Sequence, residues 1–398
     1  MDLLLTLGMV VVAGLIGGRL AQELKLPSVT GYLLIGVLLG PSVTNLVTTE
    51  DMAALDPVRA FAMGLIVLSI GAELSWPLLR SKWQNFGLLF AGESLGTLIL
   101  VSAAVYLVSR SLALALMLGV LSLAPAPTSI LGIMREHNAR GPFPRVVMSL
   151  VALDNLWCIL AFTIVTTTLN LHYFGMEAER GLLAHVTIEV GGALVLGACL
   201  GLAGITIANR MRLPRQRLLL VTAIIFILVG LSRQLGISYL LVALITGAMV
   251  TNLTPNARRF FENIEAIDAP VLIIFLTLAG ANLQLQALPT LGLLGSIYVL
   301  SRLAGKLLGS RLGDATCRLL PDRCNMIAPE HRRQVGLALT PQAGVAVGLA
   351  LLAEERLPLP EGVVVTVILG SVIFFGLIGP VLVLRALEQT QSLGVEDS

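Results

Sequence analysis

Four ionisable side chains interrupt apolar stretches that are otherwise long enough to cross a membrane: Glu93, Asp154, Arg302 and Lys306. A charge at bilayer depth is costly, so such residues usually pair with one another or mark the path of an ion. Arg302 and Lys306 are four residues apart and therefore share one face of a helix. We expect Asp154 to be the counter-ion of Lys306, and Glu93 to be that of Arg302.

Lys306 is one of only three lysines in a chain that otherwise uses arginine. Burial shifts the proton equilibrium of a lysine readily, whereas an arginine stays charged. The choice of lysine at this position therefore predicts an amine that takes part in proton-linked chemistry. Another acid, Glu73 in "IGAELSW", lies near the end of an apolar stretch, and we expect an interfacial or structural role for it.

The composition indicates a polytopic membrane protein. Of the 398 residues, 56% are hydrophobic and 13% are charged, and the mean hydropathy is +0.90; a soluble domain carries roughly 25% charged residues. The net charge of +2 is spread over short loops, so we expect no nucleic-acid partner. The four cysteines and four histidines lack metal-ligand spacing, which predicts reduced thiols, no metal and no cofactor. No Ser/His pair or HExxH pattern lies in an apolar stretch, which argues against an enzyme.

Apolar runs predict an all-α fold of about 13 transmembrane helices, each about 20 residues long. Their approximate ranges are 3–22, 28–45, 57–79, 85–107, 111–136, 143–169, 183–208, 215–233, 237–252, 258–282, 289–311, 334–353 and 361–386. Basic residues concentrate in the loops on one side of this arrangement, as in "RMRLPRQR" at 210–217. Basic loops stay cytoplasmic. We therefore expect a protein of the inner (plasma) membrane with its N-terminus on the outer side and its C-terminus in the cytoplasm.

Two distant segments resemble each other: "LPSVTGYLLIGVLLGPS" at 26–42 and "LGISYLLVALITGAMVTN" at 235–252. They fall in the second and ninth predicted spans. An offset of seven spans inverts the second copy in the membrane, and inverted repeats are a transporter architecture. The pattern predicts a single transporter domain over 1–398, in which repeats 1–170 and 215–386 are joined by a linker helix at 183–208.

The repeat further predicts that spans five and twelve correspond, and both contain helix-breaking prolines. Pro125 and Pro127 lie in "LSLAPAPTSILG", and Pro341, followed by Gln342, lies in "LALTPQAGVAVG". Proline removes a backbone donor and clashes with the preceding turn. Two broken helices at matching places in inverted halves indicate a binding site near the middle of the bilayer.

Together these features resemble the cation:proton antiporters, in particular their branch with 13 spans. The likeness rests on the broken span five with Thr128 and Ser129, the acidic site of span six, the lysine of span eleven and the "LPSVTGYLLIGVLLGP" opening. It implies that a core from 85–169 and 289–386 moves against the remaining part of the chain, which forms a homodimer. It also implies that a monovalent cation, Na⁺ or K⁺, and a proton are the substrates.

The resemblance also implies roles for individual residues. Family members usually carry two adjacent acids in span six, of which the first pairs with the lysine and the second binds the cation and the proton. In "MSLVALDNLWCILAF" at 148–162, Asp154 matches the first acid and Asn155 the second. An amide cannot release a proton, which leaves Asp154 as the titrating carboxylate.

Asn155 and the Thr128–Ser129 pair would then supply neutral oxygen ligands to the cation. Successive helical residues point about 100° apart. We therefore expect Asp154 to face Lys306, and Asn155 to face the crossing of spans five and twelve.

The amide at position 155 leaves three functions open. Exchange of a monovalent cation for protons is the leading hypothesis. With two basic residues present and one carboxylate missing, the same fold could instead carry an anion or work without protons. The third is a regulatory membrane module that transports nothing.

Overall fold

The computed structural model describes residues 2–24, 28–72, 74, 76–173, 182–211, 213–254, 261, 265–283, 288–319, 327–360 and 362–393, and every regular element in these ranges is a helix. In chain order the helices are α1 (Leu3–Glu23), α2 (Ser28–Leu39), α3 (Thr49–Ala54), α4 (Asp56–Ala72), α5 (Trp76–Ser109), α6 (Leu112–Leu121), α7 (Pro127–Glu136), α8 (Pro142–Tyr173), α9 (Leu182–Ala208), α10 (Pro214–Leu235), α11 (Tyr239–Leu253), α12 (Glu265–Ala281), α13 (Leu288–Leu319), α14 (Pro329–Arg332), α15 (Val335–Ala338), α16 (Gly344–Arg356) and α17 (Val363–Gln389).

Six of the described helices are long and apolar enough to cross a membrane: α1, α9, α10, α17 and the greater part of α5 and α8. The helices α2, α6 and α11 and the segment Pro270–Ala281 of α12 are apolar but shorter. Each predicted span overlaps at least one described helix. The prediction of an all-helical polytopic membrane protein is therefore confirmed.

The chain divides into two compact units. The first comprises Met1–Leu24, Gly31–Trp76 and Ile159–Leu283, and the second comprises Lys25–Thr30, Pro77–Cys158 and Gln284–Ser398. The long helix α8 begins in the second unit and ends in the first. The roles of a moving core and a dimerisation part, and the inverted relation of the two repeats, stay predictions.

In the first unit, glycines bring helix backbones into direct contact. A Cβ atom at Gly71 of α4 would collide with the carbonyl of Leu244 in α11, and one at Gly247 of α11 with the carbonyl of Leu68 in α4. In a membrane, small residues at such contacts let helices approach closely and gain packing energy. The pair α2 and α12 is held together in the same way, through Gly36 and Gly280.

The second unit contains both of the predicted breaks. The helix α6 ends at Leu121 and α7 begins at Pro127, while α15 ends at Ala338 and α16 begins at Gly344. The backbone N–H of Ala126 donates to the carbonyl of Pro341 at 2.9 Å. The two interrupted segments therefore meet at their breaks, where proline has freed the backbone groups from helical hydrogen bonding.

Cys317 is disulfide-bonded, so the expectation of reduced thiols is wrong at this position. The spacing of cysteines along the chain does not determine whether two of them come within bonding distance. Cys158 and Cys199 are free. Glu73, for which an interfacial or structural role was expected, lies outside the described residues.

Candidate functional site

The second unit holds a buried cluster of three charged side chains. The Lys306 ammonium of α13 lies 2.7 Å from Oε1 of Glu93 on α5 and 3.0 Å from Oδ2 of Asp154 on α8. It also donates to the backbone carbonyl of Leu123 at 3.2 Å. An ammonium has three N–H donors, so each donor has an acceptor. All three charged side chains are fully buried.

The predicted contact between Lys306 and Asp154 is confirmed, but the predicted pairing of Glu93 with Arg302 is wrong. Glu93 pairs with Lys306, which lies one helical turn further along α13. The spacing of Arg302 and Lys306 places both on one face, but it does not tell which of them the acid reaches. Among the described residues, Arg302 lies within salt-bridge distance of no carboxylate, and its donors meet backbone oxygens.

Arg302 binds the broken ends of both interrupted helices. Its Nε donates to the carbonyl of Ser122 at 3.0 Å, its Nη2 to that of Ala124 at 3.3 Å, and its Nη1 to that of Thr340 at 2.6 Å. The guanidinium also lies over the ring of Phe375, 4.6 Å from the centroid. Helix C-termini carry partial negative charge, and Ser122 caps the C-terminus of α6. Backbone dipoles thus compensate the charge of Arg302.

Gln342 adds a second connection between the breaks. Its Nε2 donates to the carbonyl of Leu121 at 3.0 Å and lies 3.0 Å from the Tyr298 hydroxyl, while its Oε1 accepts from Ser371 Oγ at 2.7 Å. Gln342 is buried, and a buried amide is stable only when its polar atoms are hydrogen-bonded. The side chain therefore ties the break before α16 to α6, α13 and α17.

A glycine-lined contact between α5 and α13 places Glu93 next to Lys306. Glycines recur every four residues on both helices: Gly92 and Gly96 on α5, and Gly305, Gly309 and Gly313 on α13. A Cβ at Gly309 would lie 2.9 Å from the Cα of Glu93, so the two backbones touch at the acid itself. Small residues at this spacing predict that spans four and eleven pack closely. The predictions made from the sequence did not use this pattern.

Two hydroxyl groups of α5 complete the surroundings of the carboxylates. Ser94 Oγ donates to Asp154 Oδ1 at 2.5 Å and lies 3.4 Å from Glu93 Oε2. Thr97 Oγ1 donates to Glu93 Oε1 at 3.4 Å. Hydrogen bonds to an ionised carboxylate are stronger than those between neutral groups. Neither hydroxyl was predicted from the sequence, although both lie within four residues of Glu93.

Asn155 is fully buried beside Asp154, and only one of the two polar atoms of its side chain is hydrogen-bonded. Its Nδ2 donates to the carbonyl of Val151 in its own helix at 2.9 Å. Its Oδ1 has no hydrogen-bond partner, which is costly for a buried acceptor. Such an oxygen suits a cation, whereas an anion would find no donor on it. That Asn155 faces the crossing of the broken helices stays a prediction.

The remaining predicted ligands are less closely connected to the cluster. Ser129 lies in the first turn of α7 and is partly exposed, and no hydrogen bond joins it to the carboxylates within the described part of the chain. The side chain of Thr128 lies outside the described residues. A cavity of about 370 Å³ between α13 and α17 is lined by Ser371, Phe374 and neighbouring glycines. The three charged side chains do not line it, so the cluster is closed off from it.

Two interrupted helices that meet beside a buried ion cluster are an arrangement typical of membrane transport proteins. The model of the family described as "Sodium/hydrogen exchanger, transmembrane" matches residues 8–388. The chain belongs to this family, and thus to the monovalent cation:proton antiporters. No curated protein matches it.

Solved structures show the same fold. The sodium proton antiporter MjNhaP1 from Methanocaldococcus jannaschii at pH 8 superposes with a TM-score of 0.76 at 18% identity, covering 97% of this chain and 100% of that chain. An electron-microscopy map of the same antiporter gives 0.73 at 17% identity, covering 97% and 98%.

Proposed function

We propose that this protein exchanges a monovalent cation, Na⁺ or K⁺, for protons across the inner membrane. The observation that carries the proposal is the fully buried pair of Asp154 and Lys306, 3.0 Å apart, beside the breaks of two interrupted helices. Ionisable residues inside a membrane mark ion paths and proton relays. Broken helices in transporters mark the substrate site. Membership of the sodium/hydrogen exchanger family supports the same substrates.

Asp154 is the group that alternates between the two substrates. With neither bound, its carboxylate is held by Lys306 through Oδ2 and by Ser94 through Oδ1. A proton neutralises the carboxylate, and a cation binds to its oxygens with the spare oxygen of Asn155 as a neutral ligand. Because proton and cation need the same oxygen atoms, each displaces the other, and this competition couples their movements.

The burial of the cluster supports alternating access. Glu93, Asp154 and Lys306 are fully buried, so neither aqueous side reaches them in this conformation. We propose that the second unit moves relative to the first, which opens the cluster to one side of the membrane at a time. In this proposal the first unit provides the scaffold in the bilayer and the contact of a homodimer.

Purified protein in liposomes with an enclosed pH-sensitive dye tests the exchange. External pulses of NaCl or KCl should move protons, and an equal pulse of choline chloride should not. Asp154→Asn should abolish the response, because the amide cannot release a proton. If wild-type protein moves protons as strongly after choline chloride as after NaCl, the result favours anion transport. If no salt pulse causes proton movement, the result contradicts cation/proton exchange.

Labelling in intact cells tests the proposed orientation, with the N-terminus outside and the C-terminus in the cytoplasm. Leu213 is 59% exposed in the basic segment before α10, and basic loops stay cytoplasmic. A Leu213→Cys variant should resist a membrane-impermeant thiol reagent until the cells are opened. Rapid labelling of intact cells would show that the topology is the reverse of the proposed one.

A further inference from the structure

The buried cluster contains one carboxylate more than ammonium groups. Glu93 and Asp154 carry two negative charges when both are ionised, while Lys306 carries one positive charge. Arg302 does not offset the excess directly, because its donors meet backbone carbonyls. An uncompensated charge in a dry site is strongly unfavourable. The second carboxylate therefore favours the binding of one further positive charge beside Lys306, which a proton or one monovalent cation supplies equally.

Resting on the exchange function proposed above, we propose that Glu93 is a positioning residue that holds the Lys306 ammonium while the cation occupies Asp154. The lysine then keeps its charge in both loaded states. With the cation bound, the cluster carries two carboxylates, one ammonium and the cation. With the proton bound, it carries one carboxylate, one carboxylic acid and the ammonium. Both states carry the same charge, so one cation is exchanged for one proton without net charge movement.

The contacts of Lys306 suit this change of partner. Its ammonium bridges both acids and lies closer to Glu93, at 2.7 Å, than to Asp154, at 3.0 Å. It can therefore leave Asp154 and keep a carboxylate and the Leu123 carbonyl as acceptors. Without Glu93, a cation that binds Asp154 would leave the buried Lys306 ammonium with no counter-charge, which is strongly unfavourable.

Glu93 is held in place from two sides. The backbone of α5 touches α13 at Gly309, and Thr97 donates to the same Oε1 that accepts from Lys306. Besides its three members, the fully buried titratable groups around the cluster are Tyr298 and Arg302 on α13 and Cys158 on α8. Tyr298 and Cys158 are neutral at physiological pH by their ordinary chemistry, and Cys158 Sγ contacts the Val120 carbonyl. Within the described residues, Glu93 is therefore the carboxylate available to Lys306 besides Asp154.

Glu93→Gln tests the role, because it removes the charge but keeps an oxygen for Lys306 and Thr97. We expect the apparent KM for the transported cation to rise about tenfold or more, which is about 1.4 kcal/mol. The melting temperature should stay close to that of the wild type, because Lys306 and Asp154 still balance each other. A merely structural role for Glu93 would lower the melting temperature and leave the KM of the folded fraction unchanged.

Glu189→Gln is the matched control. Glu189 lies on α9 in the first unit and accepts from Thr167 Oγ1 at 2.5 Å, and the ion pairs of the cluster do not involve it. It should leave the KM within about twofold, which is less than 0.5 kcal/mol. Glu93→Asp keeps the charge on a shorter side chain, and its KM should fall between those of the wild type and Glu93→Gln.

The dependence of the exchange rate on membrane potential is a second test. It uses the wild-type protein and therefore does not require that a variant folds. The Na⁺-driven rate of the wild type should be the same with and without a potential imposed by valinomycin. A potential-dependent wild-type rate overturns the proposal, and so does a Glu93→Gln KM within twofold of the wild type. Wild-type protein that moves no protons in response to Na⁺ or K⁺ contradicts the exchange function itself, which separates the two failures.

Discussion

Arg302 and Lys306 lie one turn apart on the buried face of α13, yet they meet opposite kinds of acceptor. Arg302 donates to three backbone carbonyls at the breaks of two helices. Lys306 lies between the carboxylates of Glu93 and Asp154. Backbone carbonyls do not ionise, so the contacts of Arg302 are the same whatever the site holds. Carboxylates can bind protons and cations, so in the proposed exchange the contacts of Lys306 change with the bound substrate.

This difference in acceptors supports a structural role for Arg302 and, in the proposed exchange, a role in transport for Lys306. A guanidinium presents five donors in a rigid plane and stays charged, which suits several fixed acceptors. An ammonium is a compact charge on a flexible stem, and it can move between two acids. The two basic residues are distinguished by what they contact, since both are fully buried on the same face of α13.

Arg302→Ala should have the largest effect on stability. It leaves three buried carbonyls without a donor, at roughly 1–3 kcal/mol each, so the free energy of unfolding should fall by about 5 kcal/mol. Melting temperatures in detergent at pH 5, 7 and 9 should show the same loss, because the acceptors do not titrate. Arg311→Ala, at an exposed position of the same helix, should change little. A loss that varies strongly with pH would mean that Arg302 acts on the carboxylates.

Lys306→Ala should destabilise the protein by about 3–5 kcal/mol at neutral pH, because it leaves buried charges unpaired. Unlike the loss in Arg302→Ala, this loss should shrink as the pH falls, since protonation removes the charge of a carboxylate that has lost its ion pair. Adding Glu93→Gln to Lys306→Ala should recover part of the stability. Melting curves across pH measure both effects. Equal losses at every pH would remove the distinction between the two basic residues.

Gly309→Ala should act through the position of Glu93. The new methyl group would lie 2.7 Å from the carbonyl oxygen of Glu93, and overpacking of this kind costs about 1–3 kcal/mol. Because α5 must move away, Glu93 should separate from Lys306 and the apparent KM for the cation should rise. Gly295→Ala on the same helix meets nothing within 4 Å and serves as the control. Identical exchange by both variants would show that the close contact of α5 and α13 is dispensable.

The smallest effect is expected at a partly exposed ion pair in the first unit. Asp56 accepts from Arg59 and Arg233, each at 2.8 Å. Partial burial raises the pKa of Asp56, but the hydrogen bonds and charges of the two arginines outweigh it and hold the pKa below its usual value. A lowered pKa in the folded state adds stability above the unfolded pKa of about 3.9, and this stability is lost as the pH falls through the folded pKa.

Arg233→Ala measures this contribution. Its loss relative to the wild type should be at most about 1 kcal/mol at neutral pH, because exposed pairs are weak. The difference in melting temperature should stay constant above about pH 5 and diminish below about pH 4. A difference that grows in acid would show that Arg233 acts through something other than Asp56.

Much of the site could be predicted because its signals are local. Pro125, Pro127 and Pro341 break their helices through their own chemistry, and the breaks lie where the prolines are. The pairing of Asp154 with Lys306 followed from the cost of an isolated buried charge. The partner of Glu93 could not be predicted in the same way, because Arg302 and Lys306 were equally available to it.

The sequence by itself determined the all-helical membrane fold, the two breaks and the pair of Asp154 and Lys306. Hydropathy and proline geometry act on short segments, and the cost of a buried charge requires that Asp154 and Lys306 each have a counter-charge. Only the tertiary structure decided that Glu93 joins Lys306 and that Arg302 binds the broken ends. Those contacts depend on how far α5 is rotated about its axis and how closely its glycines let it approach α13, which is a property of two helices packed together.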